Sequence, residues 1–426
     1  VTNLTDTDLL ALAATYHTPL YVFDESTIRA RCREVMGCIT YPNHKVRYAC
    51  KALTLQAVLT IVREEGLWID ASSINEVHRA LRAGFLPSEI YYTGEGATRD
   101  VYKHLLDRGV LINCTSIDQI RLLGSVADKD HPPGCSIRIN PGLGHGETNK
   151  TNTGGPSSKH GIYLDQIEEA KAVAASLGIR LIGVHSHIGS GTDLAAWLTI
   201  KDITLDLARG FPDLEFVNLG GGLPVVYNPA TDTPMPLAEW GAALSASMAA
   251  FSRDLGRDIR LFIEPGRYIV AESGLLLAEA QSIKATPGYE FVIVNTGLNH
   301  NIRPAMYGSW HPIRFIPHDG GPRATGHEYV IAGYLCESGD VFTVNGDGTL
   351  APRPFPEIKV GDLMVMGHVG AYAHSMKNDY NSMNLPASLL RRPDGSILVI
   401  ERRGTLDDIM RREVEAYHEG RPNGTV

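Results

Sequence analysis

The feature that most limits what this chain can become is a recurring pair of segments between about Val46 and Gly266: a short apolar run, then a stretch with helical spacing. The runs are Val46–Cys50, Leu67–Ala71, Ile90–Thr93, Val110–Cys114, Cys135–Ile139, Leu181–Ser186, Glu215–Leu219 and Arg260–Ile263. Between them, segments such as Leu53–Glu65, Asn75–Ala83 and Asp193–Arg209 place apolar residues on one helical face. Eight strand-then-helix units predict an α/β fold, an eight-stranded parallel (β/α)8 barrel of the TIM type with its helices outside.

After Arg267 the pattern changes. Alternating runs at Phe291–Val294, Tyr329–Ala332 and Ile397–Ile400 sit among Gly, Pro and Asp turns, which predicts an antiparallel β domain. Pro19–Phe23 and the helical Ser26–Val35 precede the barrel and are expected to join that domain. The expected division is residues 36–267 for the barrel, with 1–35 and 268–426 forming a β-rich second domain that completes the site. A chain of 426 residues is long enough for both.

Composition narrows the classes further. An apolar content of 43% with 20% charged residues is that of a globular protein, and a net charge of -9 argues against a nucleic-acid partner. No run is apolar for long enough to make a membrane helix, and the first residues lack the basic start of a signal peptide. The six cysteines show no CxxC spacing and are expected to be reduced thiols, with no metal site and a cytoplasmic location.

In a barrel of this kind, function gathers at the C-terminal ends of the strands. Lys51 ends the first strand in YACKA and Asp70 the second. His187 follows the sixth, Gly220, Gly221 and Gly222 the seventh, and Glu264, Pro265, Gly266 and Arg267 the eighth. A lysine at the inner end of an apolar strand is pushed by desolvation toward the neutral amine, the form that condenses with an aldehyde. The glycine triplet would let backbone N–H groups approach a phosphate, or it is simply a turn. Arg267 could meet a phosphate, a substrate carboxylate or a structural partner. Glu264 suits a ring nitrogen that must stay protonated. His187 could stack on a flat ring or merely be hydrogen-bonded at a strand end. Asp70 and Glu76 could orient these groups or serve the fold alone.

The second domain has its own polar cluster. It comprises Arg303 and Tyr307 in NIRPAMYGSWH, Cys336 and Glu337 in CESGD, and Tyr372 in VGAYAHSM. Arg303 has the fork for a carboxylate, Glu337 suits an ammonium group, and Cys336 is either an inert thiol or a proton donor. Spacing alone does not bring these segments to the barrel mouth.

Together the strings YACKA, RINPGLGHGETNKTNTGGPSSKHGI, GVHSHIGSG, NLGGGLPVVY, EPGRYIVAESG, IRPAMYGSWH, AGYLCESGDVF, GAYAHSM and IERRGTLDDIM are specific. Over nearly its whole length the chain resembles the diaminopimelate decarboxylase family. That family belongs to the pyridoxal-phosphate decarboxylases of the alanine-racemase fold, with the ornithine and arginine decarboxylases. The resemblance implies that Lys51 carries pyridoxal 5'-phosphate, that His187 stacks on its ring and that Glu264 meets its nitrogen. It implies a phosphate site of Ser190, Gly220, Gly221, Gly222 and Tyr372, beside the Glu264-Pro265-Gly266-Arg267 turn. Arg267, Arg303 and Tyr307 would bind the distal carboxylate of the substrate and Glu337 its ammonium, with Tyr372 beside them, and Cys336 would deliver a proton. The implied reaction is decarboxylation of meso-2,6-diaminopimelate to L-lysine, the last step of lysine biosynthesis. In the family the cysteine–glutamate segment reaches the other subunit's site, so a homodimer with shared sites is implied.

The chain departs from the family pattern on the substrate side. Asn295 and His300 replace acidic residues, His368 and Ala373 flank Gly-Ala-Tyr in place of the usual neighbours, and Met383 stands where an arginine is expected. The alternatives are a decarboxylase of ornithine, lysine, arginine or another amino acid, a racemase, and a non-catalytic regulatory protein on the same scaffold. An acid at the ring nitrogen favours decarboxylation over racemisation.

Overall fold

The structure is a computed structural model that describes residues 4–144, 146, 152–187, 189–191 and 193–413. The middle of the GLGHGETNKTNTGG string, Ile188 in GVHSHIGSG and the tail from residue 414 lie outside the described residues.

Eight parallel strands close a barrel: His44–Ala49, Trp68–Ala71, Ile90–Tyr92, Leu111–Cys114, Gly134–Asn140, Arg180–Ser186, Phe216–Asn218 and Arg260–Ile263. The last pairs with the first, Leu261 opposite His44 and Ile263 opposite Val46. Each of the eight expected strands is present. A two-residue strand, Ile162–Tyr163, adds to the end of the fifth and is too short to leave a sequence pattern.

Several barrel helices start just past the strand ends, at capped N-termini. Ser73 accepts from the Glu76 N–H, Ser116 from Gln119 and Asp193 from Ala196. The helix Glu25–Cys38 differs from expectation. It packs between Gln56–Glu64 and Leu237–Leu255 and so completes the ring of helices around the barrel. Its buried stripe of Ile28, Cys32 and Val35 needs an apolar partner, and the gap left by the first and last barrel helices supplies one.

Inside the barrel, side chains stack in layers. At the floor, the fully buried Arg47 guanidinium lies 4.1 Å from the Phe262 ring and 5.0 Å from that of Tyr91, an aromatic box that stabilises a desolvated cation. The layer above is polar. Tyr91 OH meets Ser136 Oγ at 2.7 Å, Ser136 donates to Asn113 Oδ1 at 2.8 Å, and Asn113 Nδ2 meets His185 Nδ1 at 2.8 Å.

Among the described residues the second sheet has nine strands. Leu20–Asp24 runs antiparallel to Gly274–Ala285 and parallel to Ala387–Arg391, so the chain start does join this sheet. Glu290–Val294 and His327–Ala332 are also parallel, so the sheet is mostly antiparallel with two parallel pairs. Among the described residues no helix is long and apolar enough to cross a membrane.

Candidate active site

Side chains alternate along a strand, so every second residue faces the barrel axis and the last inward one opens at the mouth. There a cavity is lined by Ala49, Lys51, Asp70, His187 and Ser190, by Gly221, Gly222 and Leu223, by Glu264, Gly266 and Arg267, and by Tyr372. Tyr372 comes from the second domain. Its N–H donates to the Ala52 carbonyl at 2.8 Å, and Ser375 Oγ donates to the same carbonyl at 3.2 Å. The Tyr372 backbone is left-handed, φ 65°, a conformation that a non-glycine residue holds only when its surroundings fix it.

Part of that fixing is electrostatic. The loop continues to His374 and Lys377, both bound to Glu401 Oε2, which also accepts from Ser388 Oγ at 3.0 Å. Burial opposes the Glu401 charge, but His374 and Lys377 outweigh it and lower the pKa to about 2. A carboxylate held below its unfolded value stabilises the fold above that value, and the contribution is lost as pH falls through the folded one. Glu401→Gln should therefore lower the unfolding midpoint at neutral pH and flatten the loss of stability between pH 4.5 and about 2. Thermal unfolding across that range checks it, and unchanged curves would refute the anchor.

Lys51 stands at the barrel mouth with its side chain open to the cavity and exposed through it, among otherwise buried neighbours. Sequence reasoning expects burial to make it a neutral amine. Burial does act that way, but Asp70 and then Tyr372 act against it, and the lysine pKa stands above its ordinary value. Burial, and then Glu264, raise Asp70 in turn, and Asp70 Oδ1 is buried without a hydrogen-bond partner. Lys51 is thus an ammonium beside a carboxyl that takes a proton readily. Condensation with an aldehyde requires the amine to give up a proton, and Asp70 is placed to receive it.

Glu264 is prepared differently. Its Oε1 accepts from Asn218 Nδ2 at 2.5 Å, and its Oε2 lies 3.3 Å from His185 Nε2. Burial opposes ionisation, yet His185 and Asn218 outweigh it and hold the carboxyl well below the usual range. His187 is neutral because burial, with Arg138 and Lys51, pushes its pKa far down. Its Nδ1 accepts from the Gly221 N–H at 3.1 Å, and its carbonyl takes bonds from Arg138 and Thr153.

The glycines divide their work. Gly220, φ 66°, lies outside the cavity lining, and a Cβ there would fall 2.5 Å from the Ser186 carbonyl. At Gly221 a Cβ would stand 2.2 Å from the Glu264 carbonyl, so glycine is what lets these two turns touch. The Gly220 N–H goes to Asn218 Oδ1 and the Gly221 N–H to His187. That leaves Gly222 and Ser190 as the lining groups suited to an anion. Pro265 also stays outside the lining, its carbonyl taking the Ala49 N–H at 3.2 Å to tie the eighth strand to the first.

A second cavity is lined by Gly191, the residue after Ser190 in the chain, and by Tyr227, Arg303, Tyr307 and Trp310 among others. Arg303, 2% exposed, donates to Tyr227 OH at 2.5 Å and to Ser309 Oγ at 3.2 Å. The Tyr227 ring lies 4.8 Å from the Arg303 guanidinium and 5.8 Å from that of Arg267, bridging the two cavities. Cys336 and Glu337 are exposed and line neither cavity.

The departures fall mostly outside the cavities. Asn295 binds Thr18 and the Glu279 N–H across the sheet. His300 is buried against Thr296, and burial pushes its pKa down to about 3, so it is a neutral structural residue. Ala373 is fully buried and Met383 half-buried. His368 alone touches the substrate side, its ring edge-on to Tyr227 at 5.6 Å. Glu76 accepts the Ser72 N–H at 2.7 Å and stabilises a helix start.

Sequence reasoning passed over Arg138, His185, Asn218, Asn113 and Tyr227. A signal existed for most: each is a polar residue inside an apolar strand, and His185 and Asn218 stand two before His187 and Gly220 on the same inward face.

The family model for the pyridoxal-binding domain of pyridoxal-dependent decarboxylases matches residues 25–271. A diaminopimelate decarboxylase of Streptomyces coelicolor is 39% identical over 417 residues, spanning 96% of this chain and 92% of that protein. A crystal structure of a diaminopimelate decarboxylase superposes with a TM-score of 0.90 at 35% identity, covering 98% of both chains. The Helicobacter pylori enzyme of that name, solved with L-lysine, gives a TM-score of 0.83 at 28% identity over 95% of this chain and 98% of that one. With the strand ends arranged as described, these relationships leave one conclusion: the chain belongs to the diaminopimelate decarboxylase family of pyridoxal-phosphate-dependent decarboxylases.

Proposed function

We propose that the chain decarboxylates meso-2,6-diaminopimelate to L-lysine and carbon dioxide across the two cavities that Tyr227 bridges. The observation that carries this reading is the pairing of the Lys51–Glu264–His187 cavity with a buried arginine, Arg303, in the second cavity. The residues present fit pyridoxal phosphate. Lys51 offers an amine beside the proton acceptor Asp70, Asp70 Oδ1 is buried and unpartnered, and the Gly221 turn leaves no room for a Cβ. When bound, the cofactor supplies the electron sink for the pair left by carbon dioxide.

The chain's own groups do the rest. Lys51 Nζ would hold the cofactor aldehyde, His187 would lie against its ring, and ionised Glu264 would accept from its ring nitrogen. Ser190, Gly222 and Tyr372 would take the phosphate, with Arg267 adding charge. Arg303 holds the distal carboxylate and Tyr307 lines its subsite. Arg303 already spends N–H bonds on Tyr227 and Ser309, so its fork is fixed before substrate arrives. Cys336 Sγ returns a proton to the carbon that lost its carboxylate, and Glu337 meets the distal ammonium.

Those last two roles require a second copy. In one chain both residues face outward on a loop fixed by Asp340, which accepts from Leu335 and Leu298 N–H groups. A cytoplasmic homodimer with shared sites is therefore part of the proposal.

The test is carbon dioxide release from meso-diaminopimelate, ornithine, lysine and arginine. Only diaminopimelate should turn over well, and no lysine from it would defeat the reading. Arg303→Met should raise KM for diaminopimelate about 10²-fold or more, because a buried charge pair loses one partner. An unchanged KM would remove Arg303 from the substrate site.

A further inference from the structure

Glu264 does not stand alone beneath the ring. Four polar side chains run toward it through the barrel interior, from the third, fifth, fourth and sixth strands in turn: Tyr91, Ser136, Asn113 and His185. All four are 0–2% exposed, in an interior where an unsatisfied polar group is costly.

Their donors and acceptors admit one consistent direction. Ser136 has a single hydroxyl proton and gives it to Asn113 Oδ1, so the Tyr91 hydroxyl donates to Ser136. With its oxygen occupied, Asn113 turns Nδ2 toward His185 Nδ1 at 2.8 Å. That nitrogen must then be the acceptor, and the imidazole proton sits on Nε2. Nε2 is buried without a well-aligned hydrogen bond among the described residues, and the acceptor that faces it is Glu264 Oε2, 3.3 Å away. An imidazolium would put an N–H against the Asn113 amide donor. Burial also keeps the His185 pKa below its ordinary value. The charged groups around the pair are Arg47 from the first strand, Lys51 from the turn that follows it, Asp70 from the second strand and Arg138 from the fifth.

We propose that the Tyr91–Ser136–Asn113–His185 chain is a positioning device that locks His185 as a neutral Nε2–H donor to Glu264, keeping the carboxylate ionised and the cofactor's ring nitrogen protonated. The inference rests on the reading of Glu264 given above. A neutral donor steadies the carboxylate without adding a cation that would repel the ring N–H. Asn218 serves the other oxygen, so Glu264 is held at both ends with a lone pair left for the ring.

The experiment uses holoenzyme loaded with pyridoxal phosphate labelled with nitrogen-15 in the ring, followed by NMR against pH. Wild type should keep the ring nitrogen protonated through the neutral range. In His185→Leu that proton should titrate within the range, and kcat should fall about ten- to a hundredfold with little change in KM, as when groups that orient a ligating side chain are removed. His185→Gln should restore both, since its amide can donate to Glu264 and accept from Asn113. With a cofactor analogue carrying carbon in place of the ring nitrogen, wild type and His185→Leu should run at the same rate. A ring nitrogen equally protonated in wild type and His185→Leu would overturn the proposal. If His185→Leu fails to fold, Asn113→Leu carries the same expectation, and a ring nitrogen as protonated there as in wild type would overturn the proposal equally. An unprotonated ring nitrogen in wild type would overturn the reading of Glu264, and this inference with it.

Discussion

Replacing Lys51 with alanine should abolish the visible absorption band of the lysine-bound cofactor and reduce decarboxylation by about 10⁴- to 10⁶-fold, the scale of losing a covalent catalytic group. The fold should survive. Lys51 sits in the 3-10 turn Cys50–Ala52 just past its strand, facing a cavity, and its loss leaves Asp70 already inclined to take a proton and become neutral. The complementary measurement is borohydride reduction of the wild-type holoenzyme, followed by digestion and mass spectrometry. The cofactor mass should appear on the peptide bearing YACKA. A mark on another lysine, or a band that persists in Lys51→Ala, would remove Lys51 from the centre of the site.

Glu264→Gln should produce the second-largest effect. The glutamine oxygen can still accept from Asn218, but its amide would then present N–H groups to the ring nitrogen. A ring nitrogen facing a donor loses its own proton, and the electron sink weakens. Loss of one preorganised electrostatic contact at a developing charge slows catalysis by about 10²–10³-fold, some 2.7–4 kcal/mol. Cofactor affinity should change far less than kcat, because the lysine and the anion-binding turn are untouched. Equal losses in affinity and rate would mean that Glu264 serves binding and not the chemistry.

Much of this site is legible in the sequence because its corners are marked locally. Lys51, His187, the glycine triplet and Glu264 each follow directly on an apolar run, and a parallel barrel gathers such positions at one mouth. The helix Glu25–Cys38 is harder to place. Its amphipathic pattern says that it needs an apolar neighbour but not which one, and only ring closure provides it. The glycines look like one phosphate cradle in the sequence, whereas their amides are divided among Asn218, His187 and the cavity. Which N–H an internal acceptor claims depends on angles that a sequence does not carry.

The sequence by itself determined the eight strand-and-helix units, the second β domain and the identity of the groups at the strand ends, since periodicity and strand position are properties of neighbouring residues. Tertiary structure decided the state of those groups. Lys51 is charged and not neutral because Asp70, from another barrel strand, and Tyr372, from the second domain, face it at the barrel mouth. Glu264 is ionised because Asn218 and His185 reach it from two more. Arg303 adjoins the site because Tyr227 bridges two domains. Electrostatic balance sums over distances between residues remote in the chain, and those distances exist only once the barrel has closed.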